Sequence, residues 1–242
     1  EAGYDILAIT DHEKTNNIAP FNNNGMLLIS GMETHPAWKN DMSYHIVCLN
    51  VPLGLDLTNE TSPADRIQRV REAGGETIIA HPYWCGMALE QIDDMDGSIG
   101  MEIYNHCTAE YANASVYWDM ALNAGRRIPS VVGVDDEHGE ASCSGWTMIK
   151  APELTTEAVL GALRRGACYA STGPVIEDFR LEEGKAVVKC SPAANIRFIL
   201  SAPHQHAITA PAGKTLTEGT CGGPVGASYV RVECLDAERK IR

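Results

Sequence analysis

No run of eighteen apolar residues occurs in this chain, so the sequence offers no segment that would span a membrane as a helix. Positive charge is scarce: 19 Lys and Arg stand against 32 Asp and Glu, for a formal charge of −13. Nucleic acid, whose phosphates demand a basic surface, is therefore not an expected partner. Bound divalent cations would offset part of that charge and attract anions locally, so an anionic small-molecule substrate remains compatible with it. The eight cysteines (48, 85, 107, 143, 168, 190, 221 and 234) include no CxxC pair, which excludes a cysteine zinc knuckle. A disulfide scaffold is not expected at this length and spacing; free thiols in a reducing, cytoplasmic compartment are. There is no Walker loop, no dinucleotide fingerprint with its downstream acid, and no Gly-x-Ser-x-Gly elbow, which removes the main competing enzyme classes. The opening Glu1-Ala2-Gly3-Tyr4-Asp5 is not a signal peptide. It reads as a helix end capped by Gly3 and running into a strand, and further residues are expected before Glu1.

At 44% hydrophobic and 21% charged, the chain has the apolar content of an ordinary globular protein. Its first two-thirds alternates short apolar runs with helix-like segments. Strands are expected at Asp5–Thr10, Met26–Gly31, Tyr44–Leu49, Thr77–His81, Ile99–Tyr104, Pro129–Val134 and Gly145–Lys150. These are mostly unbroken apolar stretches bounded by Gly, Pro, Asn or Asp, as suits strands buried on both faces. One helix is signalled by Ser62 as N-cap with Pro63 at the first helical position, ending at Gly74-Gly75. A second is expected over Ser115–Ala124, and a third from Thr155 or Thr156 to Gly166. Strand, helix, strand in this order indicates an α/β barrel or an open parallel sheet. After Ser171-Thr172-Gly173-Pro174 the period becomes two, which predicts a small antiparallel β unit. The expected division is 1–174 and 175–242.

Six of the eight histidines lie at or before residue 138, in repeated company. They occur in Thr10-Asp11-His12, Gly31-Met32-Glu33-Thr34-His35, Tyr44-His45, Ala80-His81-Pro82, Glu102-Ile103-Tyr104-Asn105-His106 and Val134-Asp135-Asp136-Glu137-His138. Each group follows an apolar run, or for His45 begins one. Active sites of α/β barrels and open sheets form at the C-terminal strand edge, so successive strands can deliver these groups to one rim. Imidazole and carboxylate are ligands of zinc, iron and manganese. A single histidine after a strand is usually a structural, hydrogen-bonded residue; the repetition with acidic partners is what points to a site. His204 and His206 read as a tail surface loop. Cys143 carries no mark above the other thiols, and Arg126-Arg127 and Arg164-Arg165 read as charges suiting helix C-termini.

Ile9-Thr10-Asp11-His12, Gly31-Met32-Glu33, Ala80-His81-Pro82 and Val134-Asp135-Asp136-Glu137-His138 together resemble, in order, the motifs of the PHP (polymerase and histidinol phosphatase) domain family. Ala170-Ser171-Thr172-Gly173-Pro174 and the β tail resemble its CehA/McbA group. The resemblance implies a distorted (β/α)7 barrel carrying two or three divalent metals: manganese, zinc or iron, with magnesium possible. It implies that His12, His45, His81, Asp136 and His138 ligate metal and that Glu33 bridges two ions. Asp135 is an alternative acid, but the spacing to His138 favours Asp136. Asp11 either orients His12 or a metal-held water or caps the next turn. Glu102, Asn105 and His106 would line the substrate pocket, and His35 reads as a bystander. The family opens with a His-x-His motif that this chain lacks, and the motif is expected upstream of Glu1.

The expected activity is a phosphoesterase acting on a small phosphorylated substrate with metal-activated water and no covalent enzyme intermediate. His81 or His106 would carry a proton to the leaving group where either is not a ligand. An amide, carbamate or carboxyl ester hydrolase with the same centre, and a non-catalytic PHP-fold binding or structural module, are the alternatives.

Overall fold

The computed structural model describes residues 3–21, 25–38, 42–134, 144–201, 205–222 and 226–237. The apolar runs become β1 (Ile6–Ile9), β2 (Leu27–Thr34), a short hairpin of β3 (Ala37–Trp38) and β4 (Met42–Ser43), and β5 (Ile46–Leu49). Helix α1 (Pro63–Glu72) follows, then β6 (Glu76–Ile79), the short α2 (Leu89–Asp93), β7 (Gly100–Asn105) and α3 (Ser115–Asn123). β8 (Ser130–Val134), β9 (Trp146–Ile149), α4 (Thr156–Arg164) and β10 (Cys168–Ser171) complete this part. The caps read from the sequence are in place. Ser62 Oγ accepts the Asp65 N–H at 3.1 Å, with Pro63 opening α1, and Thr155 Oγ1 accepts the Ala158 N–H at 3.3 Å. Arg69 and Arg71 suit the carbonyl end of α1.

Six strands form one sheet in the order β1-β2-β5-β6-β7-β8, and β9 and β10 pair separately. The expected parallel sheet is corrected to a mixed one: β5 runs antiparallel to both β2 and β6, while the other neighbours are parallel. The reason lies in the connection. The segment between β2 and β5 is short and folds on itself as the β3–β4 hairpin, leaving no helical crossover of the kind a parallel pair requires. A closed barrel of seven strands is likewise not formed among the described residues, since β1 and β8 end the ladder. The sheet curls nonetheless. β9 lies beside β8 through Thr147 Oγ1, which donates to the Gly133 carbonyl at 2.8 Å, and Tyr4, just before β1, donates from its hydroxyl to Gly145 O at 3.2 Å.

Alternate strand residues feed two cores. Met32, Ile46, Cys48, Ile79 and Met101 pack with Ile67 and Val70 of α1. Ile29, Leu49, Ile78 and Val132 pack with Val159, Leu160 and Leu163 of α4. Two polar contacts tie α4 to strand beginnings: Ser130 Oγ donates to Leu163 O at 2.5 Å, and Arg164 Nε to Glu76 Oε1 at 2.5 Å. The opposite edge is left for chemistry. Because β5 is reversed, its first residues share that edge with the last residues of β1, β2, β6, β7 and β8.

A second compact unit comprises Ser171–Arg242 with Leu122–Arg126. β11 (Ile176–Glu182), β12 (Lys185–Ala193), β13 (Asn195–Leu200), β14 (Gln205–Thr209), β15 (Leu216–Cys221) and β16 (Val230–Leu235) form two antiparallel sheets, β11-β12-β15 and β14-β13-β16. Val188, Cys190, Ile196 and Phe198 are at its core. The seven described cysteines are unbridged. No helix among the described residues is long and apolar enough to cross a membrane.

The tightest backbone approach in the sheet is at Gly31 of β2, where a Cβ would meet Cys48 O at 2.6 Å and Thr10 Cγ2 at 2.7 Å. Gly31→Ala is expected to lower the unfolding free energy by about 1–3 kcal/mol, as overpacking does, measured by urea denaturation. An unchanged midpoint would show that the strands part without cost.

Candidate metal centre

The edge that β5 shares with its neighbours gathers four imidazoles around one carboxylate. Glu33, near the end of β2 and 4% exposed, faces His45 Nδ1 at 2.7 Å, His35 Nε2 at 3.1 Å, His81 Nε2 at 3.3 Å and His12 Nε2 at 3.6 Å. Each arrives from a different piece of backbone. His12 prolongs β1 through a bridge to Glu33, with Glu33 N–H donating to Asp11 O at 3.1 Å. His45 stands just before β5 and His81 just after β6. The rings also pack on one another, with centroids 4.6 Å apart for His12–His35, 4.1 Å for His35–His45 and 4.8 Å for His45–His81. His12, Glu33 and His35 form one group whose ligand atoms lie within 4.8 Å of one another, and His45, His81 and Cys85 form a second. Glu33 Oε1 touches both.

Burial alone would raise the Glu33 carboxyl. Hydrogen bonds from His35, His45 and His81, with the charge of His81, outweigh it and hold Glu33 far below the usual carboxylate range. His45 is pushed down, chiefly by burial, against the pull of Glu33. Burial also works against a charged His81, yet contacts with Cys85 and Glu33 and the field of Glu102 push it up to about 11. Its Nδ1 faces Cys85 Sγ at 3.4 Å while Nε2 faces Glu33.

Glu102 and Asn105 stand behind His81. Glu102 Oε2 accepts the His81 N–H at 2.8 Å and the Asn105 side-chain amide at 3.1 Å, and Asn105 Oδ1 accepts Cys107 N–H at 3.0 Å. Burial pushes the Glu102 carboxyl up to about 7. His81 has a φ of 21° and Glu13 a φ of 55°, in the left-handed region that non-glycine residues seldom occupy. Such strain collects at functional sites.

Of the other residues singled out in the sequence, His106 lies apart from the carboxylate, its Nδ1 3.3 Å from the Tyr104 hydroxyl. The Asp11 carboxylate accepts from the Asn16 amide. His206 packs on Phe198 in the second unit, with centroids 6.3 Å apart. Asp135, Asp136, His138, Cys143 and His204 lie outside the described residues. His35, read as a bystander, is in direct contact with Glu33. Sequence reasoning passed over Glu13 and Arg66 altogether. Glu13 Oε1 accepts the His35 N–H at 2.5 Å, and the buried Arg66 donates to both Glu13 oxygens, at 3.1 and 3.2 Å, and to the Thr34 hydroxyl. Glu13 directly follows the Thr10-Asp11-His12 group, but its role shows only through Arg66, which lies inside α1 and outside any histidine-bearing strand end.

No family model matches the chain, and no curated protein matches it. Among solved structures, a two-domain protein from Bacteroides vulgatus, described as containing a PHP-like metal-dependent phosphoesterase by prediction, aligns over 96% of this chain and 78% of its own, with 13% identity and a TM-score of 0.48. A protein from Bifidobacterium adolescentis, given the provisional description of metal-dependent phosphoesterase, aligns over 68% and 87%, with 16% identity and a TM-score of 0.44. An amidohydrolase from Chromobacterium violaceum aligns over 52% and 75%, with 16% identity and a TM-score of 0.40.

The Glu102 carboxyl gives a pH-dependent test. Its folded value of about 7 lies above the ordinary value near 4.3, so the folded state holds the proton more tightly. The stability this confers is present below the unfolded value and is lost as pH rises through about 7. Glu102→Gln, which keeps an acceptor for the His81 N–H, is therefore expected to gain stability relative to the unsubstituted protein between pH 5 and 7. The limit is about 1.4 kcal/mol per pH unit. Chelator-treated protein unfolded in urea at several pH values reads this out, and a pH-independent difference would contradict it.

Proposed function

We propose that this chain is a metal-dependent hydrolase of the PHP type, acting on a small phosphate ester. The observation that carries the reading is the buried, ionised Glu33 contacted by four imidazoles on converging strand ends. A buried carboxylate is costly without compensation, and His/carboxylate sets of this composition suit zinc, manganese or iron. The fit rests on the donor atoms themselves. Two groups of candidate ligands meet at one carboxylate, which is the requirement for an acid that bridges two ions. His12 and His35 would serve one ion and His45 and His81 the other, with Asp136 and His138 as the expected further ligands.

Bound divalent cations would supply Lewis acidity toward phosphoryl oxygens and lower the pKa of a coordinated water. The protein's own work is positional. The Arg66–Glu13 pair holds the His35 backbone, and Glu102 holds the His81 N–H, so that both rings keep their aim at Glu33. His106, whose Nδ1 lies 3.3 Å from the Tyr104 hydroxyl, is the imidazole we assign to carry a proton to a departing alkoxide.

Glu33→Gln is expected to abolish metal retention and turnover together. The loss in kcat/KM should exceed the roughly 10–100-fold typical of residues that only support ligands. Metal analysis of purified protein and assays on aryl phosphates with added manganese or zinc measure both. Full metal content with full turnover in the variant would exclude Glu33 as the bridging acid. Cleavage of aryl carbamates but not phosphates would move the activity to the amide and carbamate class, and metal binding without any turnover would indicate a binding module.

A further inference from the structure

Beside the carboxylate cluster stands a side chain that neither holds a ligand in line nor hides in the core. Trp84 is 53% exposed, although its indole packs against two of the candidate ligands. Its ring centroid is 5.4 Å from that of His45 and 5.2 Å from that of His81, with interplanar angles of 70° and 84°. The backbone that carries it is a hydrogen-bonded turn directly after β6: Cys85 N–H donates to His81 O at 3.2 Å, Gly86 N–H to Tyr83 O at 3.0 Å and Met87 N–H to Pro82 O at 3.1 Å. The ring is thus held by the two histidines and by the turn, while half its surface remains open. On the adjacent residue, Tyr83 packs on Tyr111 (5.2 Å) and Tyr117 (5.9 Å), with Tyr83 and Tyr111 themselves 40% and 42% exposed.

Resting on the reading of the cluster as a hydrolytic metal centre, we propose that Trp84 forms the subsite for a planar aromatic group of the substrate, so that the ester hydrolysed is an aromatic one. The argument is one of complementarity. An anionic ester group would be drawn to cations held around Glu33, and the open indole lies directly against His45 and His81. Aromatic rings paired in offset-stacked or edge-to-face geometry gain stability beyond the area they bury, and stacking tolerates many ring chemistries because it reads only the π face. The large exposed area of a rigid ring needs no reordering on binding, which preserves affinity. Two sources of such a ring are compatible with this geometry, an aryl group bonded directly to the ester oxygen and a nucleobase carried on a sugar.

The test compares the full chain loaded with manganese in three forms: unsubstituted, Trp84→Leu and Trp84→Phe. Substrates are 2-naphthyl phosphate, a nucleoside monophosphate and glycerol phosphate. The aryl-over-glycerol or nucleotide-over-glycerol ratio of kcat/KM is expected to fall roughly tenfold in Trp84→Leu and to recover in Trp84→Phe; whichever ratio falls identifies the source of the ring. A second readout needs no turnover. Phenylphosphonate binding, followed by calorimetry on the manganese-loaded protein, is expected to weaken by a similar factor in Trp84→Leu, while methylphosphonate binding sets the baseline for the anionic end. Absence of hydrolysis of every ester would sink the hydrolase reading, yet a Trp84-dependent preference for phenylphosphonate would still support the subsite. Equal losses for aromatic and glycerol esters, an unchanged ratio in a folded variant, or loss of metal from Trp84→Leu would overturn the proposal, the last by showing that the indole only buttresses the histidines.

Discussion

A carboxylate sunk to 4% exposure must be compensated, and the way Glu33 is compensated organises this protein. Desolvation opposes its charge, and only contacts from several imidazoles keep it ionised. One strand cannot supply them all, because only every second residue of a strand points to the same face. They come instead from the ends of β1 and β6, the start of β5, and the residue just past β2. Holding the carboxylate therefore requires the edges of at least four strands to be brought level, and the register of the sheet supplies that.

The remainder of this unit divides between two edges. Polar contacts such as Glu76–Arg164 and Ser130–Leu163 bind α4 to the beginnings of β6 and β8, where they serve stability. The opposite edge carries the candidate site, with strain and buried charge of its own. His81 and Glu13 adopt positive φ there, Glu102 is pushed up by burial, and Arg66 is spent on Glu13 and Thr34 rather than on solvent. Buried charge and strained backbone are tolerable only where the surrounding packing over-determines them, and on Glu33's own face of the sheet Val47 and Ile78 supply that packing.

Much of this was legible in the residues. The strands from Asp5 to Lys150 and the helices capped by Ser62 and Thr155 follow from apolar runs and cap chemistry, which are local properties. His12, Glu33, His45 and His81 were legible because each is attached to such a run. The direction of β5 was not, since periodicity is the same for either direction and only the brevity of the β2–β5 connection decides it. His35, read as a bystander, stands two residues after Glu33 along extended backbone and so shares its face, a consequence of pleat that motif spacing does not express. Arg66 lies inside α1, where a cation on a helix ordinarily faces water, and its role depends on Glu13, far away in sequence. In the tail, β14 and β15 have mixed, weakly alternating sequences and are fixed by pairing with β13 and β12 rather than by their own preference.

The reversal of β5 also bears on how the chain assembles. Parallel strands must wait for a long crossover to close, whereas an antiparallel pair joined by a short hairpin-bearing segment closes a small loop at little entropic cost. The pairing of Thr34 with Ile46 and of Glu33 with Val47 is of this local kind. Glu33 and His45 thus meet through one of the least demanding contacts in the sheet. On loop-closure cost alone, Glu33 and His45 would come together ahead of the pairings that bring in β6, β7 and β8.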